Sequence, residues 1–289
     1  MSVDSLQEKI RKTKNPSVLQ VEAFANLLPP QLLEEFSVTD AVEAYSERLL
    51  IALKGIVPAV RFGFGSFALL GAAGLTALEK LTKLARELGY YVLLDVPELL
   101  TCAQAEHAAA HLGSDACAYH WDGLVLSAYP GSDVIKPFVP LCKEGKTLFP
   151  VVRTGNKTAS EIQDLLTGGR LVHTAFADIV NRLGEKSVDK CGYCRIGAVA
   201  GASSADSLRG LRGKYARMFL LLDGYDYPNA NAKNCSFAFD QLGHGAAVCA
   251  CGSIYGAWES AEEENDPVLC AVAAAERMKK NLTRYVSIL

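Results

Sequence analysis

The stretch Tyr90-Tyr91-Val92-Leu93-Leu94-Asp95-Val96-Pro97-Glu98 runs unbroken apolar residues into a carboxylate, a proline and a second carboxylate. Carboxylates at the end of a buried strand are the groups that general acid–base chemistry uses. The run is β-rich and does not alternate, so it reads as a strand covered on both faces. Pro97 then stops the ladder just past Asp95. In a parallel α/β protein, ligands bind at that end of the strands. Arg61 and Arg153 emerge at other expected strand ends and carry the charge that an anion clamp needs.

Two cysteine pairs and a histidine pair have ligand-like spacing. Cys191-Gly192-Tyr193-Cys194 is a C-x-x-C and Cys249-Ala250-Cys251 a C-x-C. Four thiolates can hold zinc. In a barrel, however, the first pair precedes strand six at the bottom and the second lies on strand eight towards the top. The expectation is therefore small buried thiols and a loop pair, with no metal and no cofactor. His107 and His111 share one helical face near Cys117 and His120, and read as a solvated surface. The acidic stretch from Glu259 to Asp266 reads as a solvated loop or a charged start to the last helix.

These groups need a scaffold, and the pattern of elements supplies one. Short apolar runs are expected as strands at Val18–Glu22, Ile56–Phe62, Tyr90–Asp95, Trp121–Ser127, Thr147–Arg153, Ile196–Ala200, Met218–Asp223 and Gly245–Cys251. Pro58 is awkward within the second of them. Helical patterns follow nearly all of these runs. Among them are Ser37–Leu53 with its capping residues, Gly71–Gly89 with leucines at helical spacing, Cys102–Leu112, Val134–Lys143, and one long or broken helix over Ala159–Leu183. Ser204–Leu211, a weak helix over Ala238–Leu242 and a closing helix over Pro267–Tyr285 complete the set. Eight βα units argue for a parallel sheet closed into a single (β/α)8 barrel of α/β class, preceded by a helical extension over about residues 1–16.

The 289 residues are enough for one such barrel, which takes about 250. A net charge of −3 provides no broad basic field, which argues against nucleic acid or an anionic membrane surface as partner. The long uncharged stretch Phe62–Leu78 contains four glycines and falls short of the ~20 apolar residues of a membrane span. The polar N-terminal stretch has no signal-peptide core, and nine scattered cysteines read as free thiols in a reducing cytoplasm.

Several segments resemble the longer bacterial subfamily of orotidine 5′-phosphate decarboxylases, in order and spacing. They are Asn15-Pro16-Ser17-Val18, Ile56-Val57-Pro58-Ala59-Val60-Arg61, Tyr129-Pro130-Gly131-Ser132-Asp133, Arg153-Thr154-Gly155-Asn156, Ile162-Gln163-Asp164-Leu165 and Ile196-Gly197-Ala198-Val199-Ala200-Gly201-Ala202. The resemblance runs from about residue 8 to 282. It implies the same barrel, a dimer with sites at the subunit interface, and decarboxylation through a carbanion at pyrimidine C6.

The resemblance also implies residues that this chain lacks. The third strand of the family ends in D-x-K-x-x-D, whose lysine protonates the carbanion. Here Asp95 matches the first aspartate, while Pro97 replaces the lysine and Leu100 the second aspartate. Arg61 replaces the strand-two lysine, and Glu22 the ribose-binding aspartate of strand one. Ser127 replaces the base-contacting asparagine of strand four, and Ala128 the proline after it. The phosphate loop after strand seven reads Asp223-Gly224-Tyr225-Asp226-Tyr227-Pro228-Asn229, and the phosphate arginine after strand eight becomes Gly252. Pro97 cannot donate a proton, and added carboxylates repel a dianion.

These changes gather at the mouth while the framework persists. The expectation is a barrel that has lost decarboxylase activity, as a homodimer or a heterodimer with an active paralogue. The mouth residues Glu22, Arg61, Asp95, Glu98, Arg153, Asp223 and Tyr225 either form a site for a small anionic or nucleotide ligand or neutralise one another as ion pairs. Altered chemistry on the same barrel is the alternative. In it Glu22, Asp95 or Glu98 is the acid or base, and Arg61 or Arg153 the clamp. Weak residual decarboxylation is a third reading.

Overall fold

A computed structural model describes residues 1–96, 102–260 and 266–289. Eight parallel strands close into a barrel in sequential order. They are β1 (Ser17–Val21), β2 (Ala59–Gly63), β3 (Tyr91–Asp95), β4 (Gly123–Ser127), β5 (Thr147–Val151), β6 (Ala198–Gly201), β7 (Leu220–Asp223) and β8 (Ala246–Ala250). β1 closes the ring against β8, with Val18 opposite Cys249, and pairs with β2 on its other edge, with Gln20 opposite Arg61. All five residues of β3 are buried, as its continuous apolar run requires.

Helices surround this ring. They are α1 (Val3–Thr13), α2 (Pro30–Glu35), α3 (Val38–Ala52), α4 (Phe64–Ala68), α5 (Gly71–Glu87), α6 (Cys102–Leu112), α7 (Val172–Gly184), α8 (Ala205–Lys214), α9 (Ala232–Ser236) and α10 (Pro267–Thr283). α3 begins where Ser37 Oγ accepts the Asp40 amide at 3.2 Å. α5 buries Ala77, Leu78, Leu81 and Ala85 on one face. Each leucine or phenylalanine removed from water in this way stabilises the fold by about 1.5–3 kcal/mol. α1 lies across the amino ends of the strands. Asp4 accepts the Cys191 amide at 2.7 Å, Gln7 accepts the Gly245 amide at 3.0 Å, and Lys9 donates to the Gly89 carbonyl at 2.6 Å. The bottom is thereby covered, and the carboxyl ends of the strands form the opposite mouth.

Some elements differ from the sequence expectation. Pro58 stands just before β2, so it removes no donor inside the ladder. The stretch Ala159–Leu183 is not one helix. A 3-10 turn at Lys157–Glu161 leads into a hairpin of Leu166–Thr167 with Arg170–Leu171, and only then does α7 begin. Gly168 and Gly169 turn that hairpin at φ of 54° and 78°, a backbone region that glycine enters freely. The segment after β4 is a 3-10 helix over Lys136–Glu144, because Pro137 and Pro140 lack the amides of an α ladder. The helix expected at Ala238–Leu242 falls earlier, at α9, where the Asn231 side chain accepts the Asn234 amide at 2.9 Å.

Candidate functional site

Arg61 is the centre of the mouth. It projects from β2 and is almost fully buried. One guanidinium nitrogen, Nη2, donates to Asp95 Oδ2 at the end of β3. The other, Nη1, donates to Asp223 Oδ1 at the end of β7 at 2.6 Å, and to Gln20 Oε1 of β1 at 3.4 Å. Side chains from both flanking strands, β1 and β3, and from β7 across the ring thus converge on one cation. Arg61 Nε and Asp95 Oδ1 are buried without a hydrogen-bond partner.

Burial alone would lower the Arg61 pKa, but Asp95 and Asp223 outweigh it and hold the pKa well above the ordinary arginine value. Burial pushes the Asp95 carboxyl up, and Arg61 offsets only part of that. Cys249 lies on the same inner face. Its buried thiol is pushed up to about 12, so it is an inert neighbour rather than a nucleophile.

Glu22 leaves β1 on the same side as Gln20, two residues earlier, whose amide donates to Glu22 Oε1 at 2.8 Å. Gly63 makes room for it. A Cβ on Gly63 would stand 2.1 Å from Glu22 Oε2. Desolvation raises the Glu22 carboxyl, with Gln20 and Ser66 offsetting part of the shift. Gln20 and Gly63 were not among the sequence candidates. The period-two spacing of Gln20 and Glu22 on one strand was the available signal.

The remaining candidates are dispersed. Arg153 turns away from Arg61 and grips Asp164 with two parallel bonds, Nε at 3.0 Å and Nη2 at 2.8 Å. His173 Nδ1 lies 3.1 Å from the same carboxylate. The Arg153 hydrogen bond holds the Asp164 carboxyl below its ordinary range. Arg153 therefore has a full partner and is not a free anion clamp in this arrangement. Ser127 ends β4, and its Oγ accepts the Tyr129 amide at 3.3 Å. Tyr225 lines a cavity of about 430 Å³ with Lys233 and Arg284. Pro97, Glu98 and Leu100 lie outside the described residues, as do residues 261–265 of the acidic stretch.

Asp226, one of the two carboxylates that the sequence brings to the phosphate-loop region, is held there by main-chain amides. Asp226 Oδ2 accepts the amides of Cys251 at 2.7 Å and Gly252 at 3.1 Å, while Oδ1 accepts the Ser253 amide at 2.7 Å and its hydroxyl. Gly252 thus contributes a main-chain donor to this cluster. Cys191 and Cys194 precede β6 and are free thiols, as are Cys249 and Cys251 at β8. His107, His111 and His120 are exposed. Among the described residues no group of three or more His, Cys, Asp or Glu is placed to hold a metal ion. No described helix is long and apolar enough to cross a membrane.

The chain is 31% identical over 218 residues to the orotidine 5′-phosphate decarboxylase of Rhodopirellula baltica, covering 73% of this chain and 72% of that protein. It belongs to the orotidine 5′-phosphate decarboxylase family. The decarboxylase of Clostridium novyi is 26% identical over 289 residues, covering 98% of both chains. Among solved structures, the OMP decarboxylase of Leishmania donovani superposes with a TM-score of 0.73 at 21% identity, over 98% of this chain and 99% of that one, which supports the shared barrel. No family model matches the chain. In this decarboxylase-family barrel, Glu22, Arg61, Asp95 and Asp223 gather at one mouth, while Arg153 and Tyr225 belong to other clusters.

Proposed function

We propose that this chain is a decarboxylase-family barrel that no longer decarboxylates orotidine 5′-monophosphate and acts through association rather than turnover. The reading rests on the pairing of Arg61 with Asp95 and Asp223. The cation at the end of strand two is neutralised by the chain's own carboxylates, so its field is directed at them and not at a reacting carbon. The sequence adds that a proline, Pro97, stands where the resemblance puts the proton-donating lysine. A tertiary amide nitrogen carries no proton to give. The partner is a second copy or an active paralogue of the same barrel, in the cytoplasm. Size-exclusion chromatography and co-purification test that association, and a monomer with no affinity for an active decarboxylase removes it.

Purified protein at high concentration, supplied with orotidine 5′-monophosphate and followed for loss of substrate absorbance, tests the loss of activity. One observation favours a second reading, altered chemistry on the same barrel. Glu22 is half-buried, desolvation raises its pKa above the ordinary value, and the neutral Gln20 donates to it, the environment of a carboxyl group that holds its proton more tightly and can act as an acid. Thermal stabilisation by a small anion or nucleotide supports that reading, and abolition of the effect by Glu22→Gln assigns it to this group.

A further inference from the structure

We propose that a cavity at the amino end of the barrel, opposite the mouth, binds a small amphiphilic anion, one carboxylate on an apolar chain or ring. The cavity has a volume of about 430 Å³ and lies between the 3-10 helix over Lys136–Glu144 and the end of α7. Arg195 fixes its place at the bottom, because the Arg195 carbonyl accepts the Leu148 amide at 2.8 Å beside the start of β5. The volume falls in the range of about 300–1,000 Å³ that small-ligand sites occupy.

The floor of the cavity is apolar. Val139 and Leu183 are partly buried against the core, and Val188 remains 39% exposed. Cys142 is buried beside them. Desolvation pushes its thiol up to about 12, so it stays protonated and acts as a small apolar group. The rim is cationic. Arg195 is held by the chain itself, with Nε donating to Asp189 Oδ1 at 2.7 Å and Nη1 to the Cys142 carbonyl. Asp189 balances that charge. Lys143 and Lys186 line the same cavity, are exposed, and have no hydrogen-bond or ion-pair partner among the described residues.

Both lysines stand at helix ends, where cations commonly serve the last carbonyls. Here other groups take those carbonyls. The Ser187 amide and hydroxyl donate to the Gly184 carbonyl at 2.8 Å and 2.7 Å. The Gly145 amide donates to the Cys142 carbonyl at 3.2 Å, and the Lys146 amide to the Leu141 carbonyl at 3.1 Å. Both ammonium groups are therefore free for a ligand. Two uncompensated positive charges over an apolar floor select a negative head with an apolar body. An inorganic anion would leave the floor wet, and an uncharged apolar molecule would leave the lysines unused. The cavity shares no residue with the mouth, so the inference goes beyond the loss of decarboxylation and does not depend on it. Turnover by the wild type would overturn that reading without deciding this one.

Titration calorimetry on the full chain compares octanoate, acetate and octylammonium at one ionic strength, and amide resonances locate the site. Octanoate is expected to bind about tenfold or more tighter than acetate, because each methylene taken out of water adds affinity. It is also expected to bind about tenfold or more tighter than octylammonium, because the rim repels a cation. In the double variant Lys143→Glu, Lys186→Glu the preference for octanoate over octylammonium is expected to vanish or reverse. The resonance shifts should centre on residues 139–143 and 183–188. The three probes on wild type decide the case if the double variant does not fold. Octanoate that binds no tighter than acetate, or no tighter than octylammonium, overturns the proposal. A folded double variant that keeps the wild-type preference overturns it too, as do shifts centred on the mouth.

Discussion

Asp223 Oδ1 accepts a hydrogen bond from Arg61 Nη1 at 2.6 Å across the mouth of the barrel, joining the end of β7 to β2. Asp95 takes the other terminal nitrogen of the same guanidinium from β3. A buried cation between two carboxylates costs about as much in desolvation as it returns, but removing the cation alone leaves two like charges without compensation. Arg61→Met is therefore expected to destabilise the protein by about 3–5 kcal/mol in urea denaturation. The triple variant Arg61→Met, Asp95→Asn, Asp223→Asn is expected to recover most of that loss. A single variant as stable as wild type would mean that the three groups do not act as one unit.

The raised pKa of Glu22 makes a pH prediction with a definite sign. Burial holds its carboxyl above the ordinary value of 4.5, so the folded chain keeps that proton more tightly than the unfolded one. Its contribution to stability is complete below 4.5 and is lost as pH rises through the folded value. Glu22→Gln removes this linkage. The variant is expected to gain on wild type as pH rises from 4.5 and then hold a constant lead. Melting temperatures across that range measure it, and a lead that shrinks with rising pH has the wrong sign.

Gly63 and Glu22 should be coupled energetically. A methyl group on Gly63 meets the Glu22 carboxylate, which Gln20 and Ser66 hold in place. Gly63→Ala is expected to cost about 1–3 kcal/mol, the range for overpacking. In a Glu22→Ala background the same change is expected to cost less than about 1 kcal/mol, giving a coupling that a double-mutant cycle reads directly. Additive costs would mean that Gly63 serves only the backbone.

Much of the barrel was legible because its strands are uninterrupted apolar runs, as in β3, separated by helical periodicity, as in α5. The stretch around Ile162, Leu165 and Leu166 misled because its apolar spacing imitates a helix, while Gly168-Gly169 imposed a hairpin instead. The candidate site was only partly legible. Asp95 and Arg61 are marked by their place at strand ends, but periodicity cannot say which partner a guanidinium takes. Arg153 carries the same local signature as Arg61 and turns instead to Asp164, eleven residues ahead. Asp226 reaches amides 25 to 27 residues away, a contact made by the pairing of β7 with β8 rather than by any local pattern.

Decarboxylation of orotidine 5′-monophosphate by the purified wild-type protein, at enzyme concentrations comparable to substrate, tests the central claim most directly. Loss of decarboxylase function predicts no release of carbon dioxide above the uncatalysed background. Turnover in the usual enzyme range of about 1–10³ s⁻¹ would contradict it, and would mean that a group other than residue 97 protonates the carbanion while Arg61 stays paired.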